Sequence, residues 1–185
     1  MIFDEKIIIG LVGETGSGKD TFCQYIKKTV KKPVSCFRFS DPLSEALRIF
    51  LNEIKKEDQQ WLGNILRERF GSDVLANTFS KKIKTLKEGL IILNGIRAWG
   101  EFNALKKLGS KVIYVTASPK IRWQRLRKRG EKKDDLISYK KFLKLEKAKT
   151  EILIPKIGQK ADFKIEDDGS KKDFYQKIKI ILKKI

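Results

Sequence analysis

The chain has 185 residues, 41% apolar and 35% charged, with a formal charge of +19. That length suits one domain, no apolar run approaches the ~20 residues that span a bilayer, and the two cysteines, Cys23 and Cys36, do not make a disulfide framework in a chain this long. There is no histidine, which excludes Ser-His-Asp and Cys-His mechanisms and His-containing zinc sites. Chemistry is left to carboxylates, Lys, Arg, hydroxyls and backbone amides, an inventory that suits phosphoryl transfer.

Met1 to Lys6 carry no basic segment followed by a long apolar stretch, so no signal peptide is expected and the cytoplasm is the expected compartment. Ile7 to Val12 reads as a short buried strand. Phe22, Ile26 and Val30 recur every four residues on one helix face, and Pro33 ends that helix. Val34 to Phe39 is a second strand. A long helical stretch follows from Pro42, with breaks expected near Gly63 and at Gly71. Leu90 to Leu93 is a third strand and Val112 to Thr116 a fourth. Pro119 sits in the first turn of another helix, where its missing N–H costs little. Gly130 to Asp135 is the most loop-like charged segment. Ile137 to Ile154 reads as a further helix stopped by Pro155, Ala161 to Ile165 as a fifth strand, and Phe174, Ile178, Ile181, Leu182 and Ile185 as a closing amphipathic helix. Strands apolar throughout, alternating with helices, indicate a parallel sheet covered on both faces.

Between the first strand and helix lies Gly13-Glu14-Thr15-Gly16-Ser17-Gly18-Lys19-Asp20-Thr21. Gly13, Gly18 and Lys19 meet the phosphate-loop pattern Gly-x-x-x-x-Gly-Lys-Ser/Thr, in the required strand–loop–helix context. Glycines let consecutive N–H groups converge on one anion, the helix N-terminus adds positive potential, and Lys19 reaches the β- and γ-phosphates. Asp20 stands where the hydroxyl is expected. Either it ligates Mg²⁺, directly or through water, or it caps the helix while Thr21 supplies the hydroxyl; both stay open. The +19 charge fits nucleic-acid binding, steering of small polyanions, or a solvated lysine-rich surface. Lysine pairs from Lys27-Lys28 to Lys171-Lys172 are spread along the chain, which favours the solvated surface.

Gly-Ser-Gly-Lys-Asp-Thr resembles the loop of the P-loop nucleoside monophosphate kinase superfamily. The Gly-Lys-Asp-Thr variant is similar to that of deoxynucleoside monophosphate kinases, and dephospho-CoA kinases and an archaeal family of small P-loop kinases look related. The resemblance extends over most of the chain, with the loop its specific part. It implies a three-layer α/β P-loop NTPase fold with helices on both faces of a five-stranded parallel sheet of order 2-3-1-4-5. It also implies a single kinase domain over 1–185, with an acceptor-binding helical insertion at about 41–88 and a lid at about 122–140. The implied cofactors are ATP and Mg²⁺. ATP would meet residues 13 to 21, that is Gly13, Glu14, Thr15, Gly16, Ser17, Gly18, Lys19, Asp20 and Thr21, together with Arg125 and Gly169.

Ser40-Asp41-Pro42 is similar to the start of the acceptor region in the deoxynucleoside monophosphate kinases. Asp41 would face the acceptor, and Ser40 or Asp41 is also a good helix cap. Leu66 to Asp73 resembles the same family's Arg-x-x-x-x-Gly-Thr-Asp/Glu element, in which Arg holds the acceptor phosphate by its planar fork. Arg67 is preferred and Arg69 held in reserve, against the reading of a solvated charge cluster. In Leu93-Asn94-Gly95-Ile96-Arg97, Asn94 stands where those families have an acidic residue. It could hold a magnesium-bound water, making Asp20, Thr21 and Asn94 the candidate metal set. Arg97 would contact the acceptor or pair with Glu101 four residues on. Arg122, Arg125 and Arg129 share one helix face and repel one another unless an anion sits among them. The resemblance makes Arg125 and Arg129 lid residues, catalytic with Lys19, and Gly130 to Asp135 the lid tip. Asp162 to Ser170 resembles the turn bordering the adenine, and Ser170 also reads as a helix cap.

The implied reaction moves the ATP γ-phosphoryl group to a small phosphorylated acceptor, a (deoxy)nucleoside monophosphate first. The alternative is the hydroxyl of dephospho-CoA, with Asp41 the one candidate base. A nucleic-acid-associated P-loop ATPase is the rival from another class, and no membrane partner is expected.

Overall fold

Successive strands are separated in sequence by at least one helix, the crossover that parallel pairing requires. The computed structural model describes residues 6–86, 88–130, 136–148 and 151–185. Its strands are β1 (Ile7–Val12), β2 (Val34–Arg38), β3 (Leu90–Ile96), β4 (Lys111–Thr116) and β5 (Phe163–Glu166), in one parallel sheet of order β2-β3-β1-β4-β5. The helices are α1 (Lys19–Thr29), α2 (Asp41–Arg48), α3 (Lys56–Phe70), α4 (Val74–Thr85), α5 (Trp99–Lys107), α6 (Pro119–Arg129), α7 (Tyr139–Leu145), α8 (Ile154–Gly158) and α9 (Lys171–Leu182).

Alternation within each strand builds two cores. Ile9, Leu11, Ile92, Ile113 and Val115 face α1 and α9, through Phe22, Ile26, Phe174 and Ile178. Ile8, Val12, Ile91, Leu93 and Val112 face the other way, toward Leu75 and Phe79 of α4, Phe102 and Leu105 of α5, and Ile154 and Ile157 of α8. Both layers of helices are thereby seated by the period-2 pattern of a sheet buried on both faces.

Three expectations are corrected. Gly63 breaks no helix. It is buried inside α3, where an added Cβ would come within 3.2 Å of Leu43; the first break falls instead at residues 49–55, and the break at Gly71 is where it is expected. In place of the single helix expected over Ile137 to Ile154, the described residues form α7 and, from Ile154, the start of α8, and Pro155 lies in the first turn of α8 rather than stopping a helix. The third strand runs on to Ile96, because Gly95 (φ +96) forms a bulge: Leu11 pairs with Asn94, and Val12 with Ile96. The bulge places Asn94 at the carboxyl end of the sheet, where ligands of open parallel sheets bind.

Candidate active site

The loop from Gly13 to Gly18 leaves β1 and wraps the start of α1. Gly13 has no room for a side chain, since a Cβ would lie 2.1 Å from the Val115 carbonyl, and Gly18 takes φ +101 as it enters the helix. Lys19 folds back over the loop. Its Nζ donates to Gly13 O at 2.7 Å, Glu14 O at 2.8 Å and Ser17 Oγ at 3.4 Å. Burial, with Arg97 nearby, pushes its ammonium down to about 8. Glu14 lies beneath the loop, accepting from the Tyr114 hydroxyl, and burial first and that bond second push the tyrosine up to about 12.

One cavity of about 680 Å³ opens beside this loop. Its lining includes Thr15, Gly16, Lys19 and Asp20 from the loop and α1, Asn94 and Arg97 from the end of β3, Asp41 from α2, Arg67 from α3 and Arg129 from α6. Gly13, Glu14, Ser17, Gly18, Thr21, Arg125 and Gly169 are outside that lining.

Asp20 and Asn94 meet across the floor. Asn94 Nδ2 donates to Asp20 Oδ1 at 2.9 Å, and Arg38 reaches the same oxygen at 3.0 Å. The Asn94 Oδ1 is buried with no hydrogen-bond partner. Among the described residues no group of three or more Cys, Asp or Glu could hold a metal by itself. One carboxylate beside an orphaned amide oxygen nevertheless fits Mg²⁺, which keeps several waters and relies on substrate phosphates for the rest of its shell.

The acceptor-side arginines are each held by a buried carboxylate. Arg67 Nε and Nη2 donate to Glu101 Oε1 at 3.0 and 2.6 Å, and Glu101 has no solvent exposure. The other oxygen of Glu101 accepts from the backbone N–H groups of Arg97 (2.7 Å) and Ala98 (3.2 Å), tying the end of β3 to α5. Arg97 therefore meets Glu101 through its backbone only, and its guanidinium pairs with Glu151. Lys56 at the start of α3 lies 3.7 Å from the same Glu151 oxygen and 3.4 Å from Thr15 Oγ1. Burial alone would push the Glu151 carboxyl up; Arg97 and then Lys56 outweigh it and hold the group below its ordinary range. Asp41 Oδ2 accepts from the Arg38 N–H at 2.8 Å, while Ser40, at the cap position of α2, makes no side-chain cap bond.

Arg122 and Arg125 of α6 do not wait for an external anion. Arg122 is buried, donates to Ala117 O (2.8 Å) and Thr15 O (3.4 Å), and pairs with Glu146. Arg125 donates to Asp167 O at 2.7 Å and sits 2.8 Å from Asp167 Oδ2. That Oδ2 would be 2.8 Å from a Cβ at Gly18, so it packs directly on the phosphate loop, and burial raises its carboxyl against the pull of Arg125. The turn after β5 is pinned by Asp167 N to Thr116 O (2.8 Å) and by Ser118 N to Asp168 Oδ1 (2.6 Å), and Ser170 caps α9 reciprocally with Asp173. Of the expected lid tip, residues 131–135 lie outside the described residues.

Sequence reasoning missed Lys56, Glu146 and Glu151. They stand in a helical insertion and a late segment with no motif around them, and only the folded chain brings them to the loop. Arg38 and Tyr114, on the strands next to the loop, were missed for the same reason.

A family model described as AAA domain (AAA_18) matches residues 9–153. The chain is 29% identical over 180 residues to a UPF0200 protein of Sulfurisphaera tokodaii, covering 96% of this chain and 97% of that one. Its fold is similar to that of a shikimate kinase from Bacteroides thetaiotaomicron (TM-score 0.58, 16% identity, 96% of both chains). A dephospho-CoA kinase from Campylobacter jejuni also aligns (TM-score 0.50, 17% identity, 97% of both chains). The fold is that of a small, kinase-like P-loop NTPase.

Proposed function

The chain belongs to the AAA domain family, and from that premise we propose that it is an ATP-dependent kinase for a small phosphorylated acceptor, a (deoxy)nucleoside monophosphate first. One observation carries this reading: a single cavity joins Lys19, Asp20 and Asn94 at the phosphate loop to Asp41, Arg67 and Arg97 on the acceptor side. Its volume of about 680 Å³ is in the range of small-molecule sites.

Phosphoryl transfer depends on positioning and on neutralising charge. The N–H groups of residues 13–18 and the N-terminus of α1 would hold the phosphates, with Lys19 exchanging its loop carbonyls for β- and γ-oxygens. Asp20 and Asn94 would hold Mg²⁺ through its waters, with Thr21 the alternative donor; when bound, the metal supplies charge neutralisation between phosphates. Glu101 and Glu151 fix the guanidinium groups of Arg67 and Arg97 and so pre-orient the remaining N–H donors toward an acceptor phosphate. Attack by a phosphate oxygen needs no base. A hydroxyl acceptor such as dephospho-CoA, the second choice, would call on Asp41. Residues 41–88 form the acceptor-binding insertion in this reading and about 122–140 the lid. Arg129 reaches the cavity, whereas Arg125 acts through Asp167 on the loop and the turn at Gly169.

An assay coupling ADP release to a panel of nucleoside monophosphates and dephospho-CoA tests the reading. Release that depends on one monophosphate is the expected result. No acceptor-dependent release with any of them would overturn it.

A further inference from the structure

The two cysteines, 13 positions apart in sequence, end in one seam. Cys23 is buried on α1, in the core between α1 and the sheet, and Cys36 packs against that core from β2, the edge strand. Both side chains pack into the one cluster that α1 and the sheet share, so the two thiols face the same seam. The seam follows from periodicity. Cys36 and Arg38 are two apart on a strand and so share its α1 face, and Asp20 and Cys23 are three apart on the helix and so share its β2 side. The Asp20–Arg38 ion pair, at 3.0 Å, is the next rung of the same ladder. The thiols are unequal in access: Cys23 is 8% exposed, whereas Cys36 is only partly buried.

We propose that Cys23 and Cys36 form a reversible dithiol–disulfide site within one chain, a modification site that ties the phosphate-loop helix to the edge strand. The oxidant is a small-molecule disulfide. The Cys36 thiolate attacks one sulfur of that reagent, whose S–S bond breaks and releases one small thiolate. Cys23 then loses its proton to water and attacks the Cys36 sulfur, and the mixed disulfide breaks to release the second thiolate. Two protein thiols are oxidised and one reagent disulfide is reduced to two thiols. Thiols that share one seam, a rung away from the Asp20–Arg38 pair, reach the bonded separation of about 2.0 Å by side-chain rotation and a small shift of α1 against an edge strand held on one side only. The proposal holds whatever the acceptor of the proposed kinase.

The test uses the full chain, reduced and freed of reductant, then exposed to oxidised glutathione. Intact-mass and peptide mapping without reductant read the products. Wild type is expected to lose both thiols, carry no glutathione and yield a Cys23–Cys36 cross-linked peptide. Cys23→Ser is expected to retain one glutathione on Cys36, and Cys36→Ser to react far more slowly. Oxidation should raise the urea midpoint of wild type and of neither serine variant. Persistent glutathione on wild-type Cys36 beside a free Cys23, chains linked to one another, or no reaction in the folded protein would each overturn the proposal.

Discussion

Lys19 carries a charge that the protein holds only loosely. With its ammonium pushed down to about 8 by burial, the residue is charged near pH 6.5 and partly neutral above pH 8. A triphosphate beside it favours the charged form, so Lys19 should take up a fraction of a proton when ATP binds at about pH 8.5 and none when it binds at about pH 6.5. Calorimetry in two buffers of different ionisation enthalpy reads this directly. Lys19→Met should abolish the uptake and weaken binding roughly 10- to 100-fold, the range for hydrogen bonds to a charged partner. Arg67 separates a structural role from a binding role. Because Glu101 is fully buried, Arg67→Ala should cost about 3 kcal/mol in urea unfolding as well as acceptor affinity. Arg69→Ala, at an exposed position, should stay within about 0.5 kcal/mol. Equal effects for the two variants would remove Arg67 from its place in the site.

At the scale of elements, the acceptor side depends on how closely α5 docks on the turn between α3 and α4. A Cβ at Gly100 would stand 2.3 Å from Ser72 Oγ and 2.6 Å from Asp73 N. Backbone cannot yield as a flexible side chain does, so Gly100→Ala should destabilise by about 1–3 kcal/mol. It should also displace Arg67 through Glu101, raising the acceptor KM more than the ATP KM in steady-state assays. The misread elements share one cause. Pro155 and Gly63 are breakers by local propensity, yet Pro155 starts a helix and Gly63 fills a close contact with Leu43. Local punctuation marks a special position without saying which kind.

For the whole molecule, the +19 charge is distributed rather than focused. Lys27 and Lys28 on α1 and Lys171 and Lys172 on α9 are exposed on one face of the sheet, and Lys106 and Lys107 on α5 on the other. The cavity itself mixes Lys56, Arg67 and Arg97 with Asp20, Asp41 and Glu151. Retention on nucleic acid should therefore vanish at physiological salt in a column or filter-binding assay. Retention there with a steep salt slope would move the reading to the nucleic-acid-associated ATPase. Among the described residues no helix is long and apolar enough to cross a membrane.

How much of this was legible beforehand divides along sequence separation. The phosphate loop, the five apolar strands and their helical partners are patterns of neighbours, with periods of 2 and 3.6 written into short windows, and the parallel sheet follows from them. Resemblance supplied the strand order that periodicity alone leaves open. The pairing of charges was decided by the tertiary structure: Arg67 with Glu101 across 34 positions, Arg97 with Glu151 across 54, Lys56 with the same Glu151 from another helix. So was the meeting of Cys23 with Cys36. An ion pair or a thiol contact depends on which surfaces the core brings together, and nothing within a few residues of either partner encodes that choice.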